Sequence, residues 1–294
     1  MQIVDTHHHL WDLKENYYPW LTDRIEKKPY GDYSAICRNY LIEDFFADID
    51  NLNVVKSVHI NADHDHSDPV RESAWLQSIA DDVPRSRGFP HGIVADANLL
   101  GDDLPVILER HCAFRNMRGI RSILSPIVTA GKQDILEDDR WWKGLDRIRQ
   151  HRLSLDLQIH PVQMNRIADA ARKNPGLQFI ICHTGFVNYN DRQMLETWSA
   201  GMTSLAGLPN VALKISGFMV WDLQWTAAKI RPIVLQAIDM FGVARCMFGS
   251  NFPPDRLARS YRYLWDAYDE ITRDFAVGER EALFAGNAYQ YYRL

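Results

Sequence analysis

Short apolar runs alternate with longer amphipathic stretches along the whole chain. Each run is nearly continuous in apolar residues, which is typical of strands that are buried on both faces of a parallel sheet. The runs occupy residues 3–4, 55–60, 89–99, 117–124, 153–160, 177–183, 211–218 and 246–252. The pattern therefore predicts eight strands.

Amphipathic stretches with helical spacing lie between these runs. They begin with a helix carrying Leu41, Phe45, Phe46, Ile49 and Leu52, and continue over 72–80, 104–112, 141–151, 162–173, 193–205 and 226–241; closing helices are predicted over 257–275 and 279–289. Eight strand–helix units in 294 residues favour a (β/α)8 TIM barrel. A doubly wound open sheet is the alternative, but the chain has no Gly-rich phosphate-binding loop. No linker or change of composition divides the chain, so we expect one domain over 1–294.

A long segment without clear periodicity, residues 13–40, follows the first strand. It is rich in Tyr, Trp and charge, and Pro19, Pro29 and Gly31 interrupt it. A loop of this length inside a compact domain usually covers a binding site. We therefore expect a lid or binding loop, with Trp11 forming a pocket wall or packing this loop.

The composition fits a globular protein and excludes several functions. The chain is 46% hydrophobic and 24% charged, with a net charge of −5, which argues against a nucleic-acid partner. No apolar run reaches the ~18 residues that a membrane span needs. The four cysteines are scattered and no secretion signal is visible, so we expect a cytoplasmic protein without disulfides.

The first strand runs directly into Asp5-Thr-His7-His8-His9. Side chains alternate along a strand, so His7 and His9 share one face and His8 points to the other. Two neutral imidazoles at this spacing can bind one metal ion or one substrate oxyanion. The motif predicts a metal or oxyanion site at the carboxyl end of the first strand.

Further polar residues fall at the ends of later runs. His160 ends the fifth and His183 the sixth, where chemistry is found in (β/α)8 barrels. Arg121 lies nearer its strand's end than Arg118 and is expected to hold a substrate carboxylate. By contrast, Asp63-His64-Asp65-His66 is predicted to be a solvated loop.

These motifs resemble the amidohydrolase superfamily. The similarity rests on Asp-x-His-x-His at the first strand, the later histidines and Gly249-Ser-Asn-Phe-Pro253. More narrowly, Val4–Asp12, Gly119-Ile-Arg121, Lys214-Ile-Ser-Gly217 and Met247-Phe-Gly-Ser250 resemble its lactonase branch, which includes L-fuconolactonase, L-rhamnonolactonase and 2-pyrone-4,6-dicarboxylate lactonase.

The resemblance implies a distorted (β/α)8 barrel that hydrolyses a cyclic ester. His7, His9 and His183 would bind the metal, while Arg121, His160, Lys214 and Trp11 would contact substrate. One divalent ion at most is expected, zinc first, because no carboxylate or lysine is visible on the fourth strand to bridge two metals. A metal-free site stays open, since the pyrone-dicarboxylate enzyme is understood to work without one.

One position departs from the family pattern. Where the family usually has Asp on strand eight, this chain has Asn251. An amide can coordinate or donate a hydrogen bond, but it cannot act as a general base. Asp255 on the following loop or a histidine not bound to metal would then take the proton.

We therefore predict a hydrolase of carbohydrate metabolism that opens a lactone of a sugar acid or carboxylated ring, with His183, Asn251 and Asp255 in catalytic roles. The substrate would be a small anionic or polyhydroxylated lactone, and homo-oligomerisation is left open. Two alternatives are a decarboxylase or hydratase of the same superfamily, and a homologue that binds ligand without turnover.

Overall fold

The computed structural model describes residues 1–23 and 28–294 and shows eight parallel strands in the order β1 to β8. The strands are β1 Ile3–His8, β2 Val54–Ile60, β3 Gly92–Asp96, β4 Met117–Ile123, β5 Ser154–Gln158, β6 Phe179–Ile181, β7 Val211–Ile215 and β8 Cys246–Phe248. A bridge between His8 and Phe252 brings the chain after β8 back to β1. The sheet thus closes into a nearly complete, distorted (β/α)8 barrel, as the sequence pattern predicts.

Several strands end earlier than their apolar runs. The sixth predicted run continues to His183 and the eighth to Phe252, yet β6 ends at Ile181 and β8 at Phe248. The chain turns at both places, because His183 and Asn251 adopt left-handed backbone conformations with φ of 54° and 54°. These turns lift the polar residues at the ends of the runs into the mouth of the barrel.

Helices alternate with the strands and cover the outside of the barrel. Their bounds are Pro19–Thr22, Ile42–Asp48, Pro69–Asp81, Val83–Ser86, Leu104–Cys112, Ser125–Thr129, Asp139–Gln150, Met164–Lys173, Arg192–Ala206, Ala227–Phe241, Tyr261–Ile271, Val277–Glu281 and Asn287–Tyr292. The predicted closing helix 279–289 is instead two helices joined by a π-helical turn, Ala282–Gly286. No helix among the described residues has the length and apolarity to cross a membrane.

The interior of the barrel contains a buried ionic group. Lys214 and Asp156 are both fully buried, and their Nζ and Oδ2 atoms are 2.6 Å apart. The Tyr292 hydroxyl, from the last helix, donates to the same Asp156 oxygen at 2.6 Å. This group fixes the last helix against the strands.

The segment 13–40 is held to the barrel mouth by Trp11, which precedes it, and by its own Trp20. Residues 24–27 of this predicted lid lie outside the described part. Trp11 pairs with Tyr40 through the backbone, and its indole donates to the Arg38 carbonyl at 2.6 Å. The Trp20 indole donates to the Ala62 carbonyl, just after β2, at 2.8 Å. Trp11 therefore packs the loop.

Candidate active site

A cavity of about 1030 Å³ opens at the carboxyl ends of the strands. Among the predicted site residues, His9, Arg121, His183 and Asn251 line it. His7 lies next to them: its ring centroid is 5.1 Å from that of His9 and 4.4 Å from that of His183. Residues in or just after the carboxyl ends of β1, β4, β6 and β8 thus meet at one place.

His9 presents a nitrogen lone pair to the cavity. Its Nδ1 lies 2.8 Å from the Ile60 carbonyl oxygen, which can only accept, so Nδ1 carries the proton. The unprotonated Nε2 faces Asn251 Oδ1 at 3.3 Å. Two acceptors facing each other favour a proton donor or a cation between them.

His183 is aimed by a left-handed turn that covers His183–Phe186, where φ lies between 52° and 69°. Its Nδ1 lies 3.2 Å from Ser216 Oγ, and its Nε2 lies 3.4 Å from an Arg121 guanidinium nitrogen. Because a guanidinium only donates, Nε2 is the unprotonated nitrogen and Nδ1 donates to Ser216. The Nε2 lone pair therefore faces the Arg121 guanidinium at the cavity wall.

Two glycines leave space for the imidazoles. A Cβ atom at Gly217 would stand 2.6 Å from Nδ1 of His183, and one at Gly249 would stand 2.7 Å from Cβ of His7. Gly217 also adopts a left-handed conformation, with φ of 74°. The ends of β7 and β8 can approach the histidines this closely only without side chains.

His7 has no hydrogen-bond partner on either ring nitrogen, although it is fully buried. Burial lowers the pKa of His7 well below its usual 6.5, and the positive charge of Lys214 acts in the same direction. Burial likewise lowers the pKa of His9 and of His183, with Arg121 as the next cause. All three imidazoles are therefore neutral near pH 7 and keep a lone pair.

Arg121 is held rigidly while its charge faces the cavity. One terminal nitrogen donates to the Asn61 carbonyl and the other to Gln158 Oε1, each at 2.7 Å. Arg118 points elsewhere, donating to the Arg115 carbonyl at 2.7 Å. Of these two arginines, Arg121 therefore lies at the barrel mouth, and its contact with a substrate carboxylate stays a prediction.

Asn251 and Asp255 form a buried pair. The Asn251 amide donates to Asp255 Oδ2 at 2.6 Å, and burial raises the pKa of Asp255 to about 8. Asp255 is 1% exposed and does not line the cavity. Its position suits holding the Asn251 amide better than reaching an attacking water.

Three residues predicted to bind substrate do not line the cavity. Lys214 forms the buried pair with Asp156, and Trp11 packs the loop that follows β1. His160 caps the turn after β5, where its Nδ1 accepts from the Val162 amide at 3.5 Å. The Lys214 amine and the Trp11 and His160 rings already form contacts within the protein, which argues against direct contact with substrate.

In the segment Asp63-His64-Asp65-His66, which was predicted to be a solvated loop, one histidine is buried and the other is exposed. His64 is 2% exposed and lines the cavity, so for it the prediction is wrong. His66 is exposed and lies between Asp63 and Asp96, and hydrogen bonds to these two carboxylates raise its pKa to about 10. The long-range pairing with Asp96, at the end of β3, has no signature in the local sequence.

Sequence reasoning also missed the residues that support the site. Asp5 is fully buried and accepts from the Ser250 amide at 2.9 Å, the Ser250 hydroxyl at 2.6 Å and the Tyr261 hydroxyl at 2.9 Å. It therefore fastens the turn that carries Asn251 to β1. Gln158, which orients Arg121, was visible at the end of the fifth run but was not assigned a role.

The donor set suits a single divalent ion. The unpartnered His7 nitrogens and the bare His9 Nε2 are neutral ligands of the kind that zinc accepts, and Asn251 Oδ1 adds an amide oxygen beside His9. In residues 1–23 and 28–294, no three His, Cys, Asp or Glu side chains are already grouped for metal binding, so ligation would require the imidazoles to rotate. The Arg121 charge beside His183 Nε2 leaves His7, His9 and Asn251 as the better ligands.

Comparison with known proteins identifies the family of this chain. The amidohydrolase family model, Amidohydro_2, matches residues 4–294. The chain is 43% identical to the protein y4mH of Sinorhizobium fredii, over 99% of this chain and 98% of that protein. It is 26% identical to an L-fucono-1,5-lactonase of Burkholderia ambifaria, over 99% and 95% of the two chains. An amidohydrolase of Burkholderia multivorans crystallised with bound zinc has the same fold, with a TM-score of 0.81, 23% identity and complete coverage of both chains.

The chain belongs to the amidohydrolase family, as its motifs predict. It is therefore an enzyme of a hydrolytic family.

Proposed function

We propose that the protein hydrolyses a lactone at the mouth of the barrel. The observation that carries this proposal is the pairing of Arg121 with the unprotonated His183 Nε2, 3.4 Å apart on the cavity wall. A fixed cation next to a neutral base provides places for a carbonyl oxygen and for an attacking water. The L-fucono-1,5-lactonase relative supports a cyclic ester as the substrate.

Arg121 would polarise the lactone carbonyl. Two of its N–H groups are fixed by Asn61 and Gln158, so the guanidinium is preorganised before the substrate binds. As water attacks, negative charge develops on the carbonyl oxygen, and a preorganised donor stabilises that charge without rearrangement.

His183 would move the proton. When the lactone carbonyl takes over the Arg121 N–H, the Nε2 lone pair is released to accept a proton from the attacking water while the new C–O bond forms. The Nδ1–H to Ser216 fixes the tautomer and stabilises the resulting imidazolium. The ring C–O bond then breaks, and the same proton passes to the departing ring oxygen, giving a hydroxy acid. The low pKa makes His183 a weak base, which a reactive ester tolerates.

Asn251 would orient the water or ion next to His9, with Asp255 holding the amide. A zinc ion held by His7, His9 and Asn251 would lower the pKa of a bound water to about 7. The site thus divides into a proton-transfer half at β6 and a water-holding half at β1 and β8.

The test is turnover of a panel of aldonolactones and carboxylated lactones by the purified protein. His183→Ala should lower kcat by about 10²- to 10⁴-fold, the usual contribution of a general base. His91→Ala is the matched control, because this half-buried histidine does not line the cavity and its backbone N–H bonds to Ser57 in β2. Unchanged kcat in His183→Ala, or no hydrolysis of any lactone by the wild type, would exclude the proposal.

A further inference from the structure

A buried carboxyl group lies behind the peptide that holds Arg121. Glu72 belongs to the first turn of the helix Pro69–Asp81 and is 2% exposed. Its Oε1 accepts from the Ala62 backbone N–H at 3.1 Å, and its Oε2 accepts from the Asn61 side-chain amide at 3.3 Å. The Asn61 carbonyl in turn accepts from Arg121 at 2.7 Å. Glu72 does not line the cavity, so any effect that it has on the site passes through these neighbours.

Two of these contacts meet on one peptide group. The Asn61 carbonyl and the Ala62 N–H are the two ends of a single peptide unit, which is planar and turns as one body. This unit is the first to leave the sheet after β2, because the preceding N–H, that of Asn61, still donates to the Val94 carbonyl in β3 at 2.7 Å. Glu72 holds the N–H end of the unit and therefore sets the direction in which its carbonyl faces Arg121.

The bond to Glu72 also strengthens the Asn61 carbonyl as an acceptor. In a buried place, a peptide group whose N–H is hydrogen-bonded is polarised, and its carbonyl binds a donor more firmly. Burial raises the pKa of Glu72 to about 8, so this carboxyl group is mostly protonated near pH 7. Glu72 thus holds the peptide without adding a negative charge that would offset the charge of Arg121.

We propose that Glu72 is a positioning residue, which fixes the guanidinium of Arg121 through the Asn61–Ala62 peptide. This inference rests on the proposed function, in which Arg121 stabilises the charge that develops on the lactone carbonyl oxygen. Without Glu72, the buried Ala62 N–H would lose its acceptor, and the peptide would turn towards another partner. The Asn61 carbonyl would turn with it and release one of the two fixed N–H groups of Arg121.

Three variants test this role with the best lactone of the panel. Glu72→Leu removes the acceptor at similar size, and kcat should fall by about 10-fold with little change in KM, because a misplaced donor weakens the transition state. Glu72→Gln keeps an oxygen for the Ala62 N–H and should restore kcat to within about threefold of the wild type. Gln77→Leu is the matched control and should keep its kcat. Gln77 is a buried residue of the same helix that also accepts a backbone N–H, at 3.0 Å, but from Asn116 at the opposite end of the barrel, before β4.

A double-mutant cycle separates positioning from a general loss of structure. If Glu72 acts through Arg121, Glu72→Leu should cause no further loss of kcat in the Arg121→Ala background, because the group that it positions is gone. The inference is overturned by an equal fold loss in both backgrounds, by a wild-type kcat in Glu72→Leu, or by the same loss in Gln77→Leu. Should Glu72→Leu fail to fold, Glu72→Asp takes its place, because its shorter side chain draws the oxygens away from Ala62.

Nuclear magnetic resonance tests the positioning without turnover. The two terminal nitrogens of Arg121 are held by different acceptors, Asn61 and Gln158, so in arginine-labelled wild type their protons should give separate signals, which Arg121→Ala identifies by their absence. Glu72→Leu should merge these signals as the guanidinium rotates, whereas Gln77→Leu should keep them separate. If the wild type opens no lactone but Glu72→Leu merges the signals, the proposed function fails and the positioning role stands. Separate signals in Glu72→Leu overturn the role.

Discussion

Replacing Gly217 by alanine should displace His183 and show how far catalysis depends on its position. The new Cβ would stand 2.6 Å from His183 Nδ1 and 2.8 Å from both Cβ and Cγ of the same residue. Real Cβ atoms do not approach this closely, so the imidazole or the end of β7 must move by several tenths of an ångström.

The size of the effect follows from two separate costs. Placing alanine at φ of 74° costs about 1 kcal/mol, and overpacking of a buried site costs about 1–3 kcal/mol more. We therefore expect Gly217→Ala to lower the free energy of unfolding by about 2–4 kcal/mol. Displacement of a catalytic group by about 1 Å can lower the rate by about 10²-fold, so a shift of several tenths of an ångström should lower kcat by roughly 10-fold with little change in KM.

Gly88→Ala is the matched control. Gly88 has φ of 84°, but a Cβ there would meet only the His91 ring edge, at an ordinary 3.6 Å. It should lose about 1 kcal/mol and keep its kcat. Urea unfolding followed by tryptophan fluorescence, together with lactone turnover, measures both quantities. If Gly217→Ala matches Gly88→Ala in stability and kcat, the assigned packing of β7 against His183 is wrong.

Four further changes test other parts of the structure. Lys214→Met leaves the Asp156 carboxylate buried without its partner and should cost about 3–5 kcal/mol in urea unfolding; a loss below 1 kcal/mol would contradict the buried pair. Burial raises the pKa of Glu72 to about 8, so the folded protein keeps a proton on Glu72 that the unfolded chain loses above about pH 4.5. The free energy of unfolding should therefore fall as the pH rises between these two values, and Glu72→Gln should remove up to about 1.4 kcal/mol of that fall per pH unit. Unfolding curves of Glu72→Gln at pH 5 and pH 8 that match the wild type would speak against this prediction. Arg121→Lys should lower kcat/KM by about 10²-fold, because an ammonium cannot reproduce two fixed N–H groups, and a wild-type value would rule out the oxyanion role. Protein purified without chelator should contain up to one zinc per chain by elemental analysis, and His7→Ala should lose it; the same zinc content in both would place the ion elsewhere.

Local sequence patterns predicted the barrel, because the burial of each strand and helix sets the spacing of apolar residues within that element. Strands that are buried on both faces are apolar throughout, and helices that cover a barrel are amphipathic. The continuous apolar runs and the helical spacing of apolar residues are therefore both visible in the sequence. Strand ends were less visible, because each predicted run continued past the last paired residue, to His183 instead of Ile181 and to Phe252 instead of Phe248, and backbone turns end the strands.

The site was predicted in part. His7, His9, His183 and Arg121 could be recognised because polar residues at the ends of apolar strands have few structural uses in a barrel. Lys214 satisfies the same rule, yet its amine is occupied by Asp156, which lies two strands away in the sheet and 58 residues away in the chain. Only the closed barrel brings these two charges together.

The sequence by itself determined the fold and the end of the barrel where chemistry occurs, because both follow from the spacing of residues within single elements. The tertiary structure decided which residues face the cavity, since that depends on pairs far apart in the chain. Asn251 shows the difference. The sequence indicated that an asparagine replaces the aspartate that resembling proteins use as a base, whereas only the folded chain placed its amide between His9 and Asp255. Tautomers and buried charges likewise arise from contacts between elements, which no local pattern encodes.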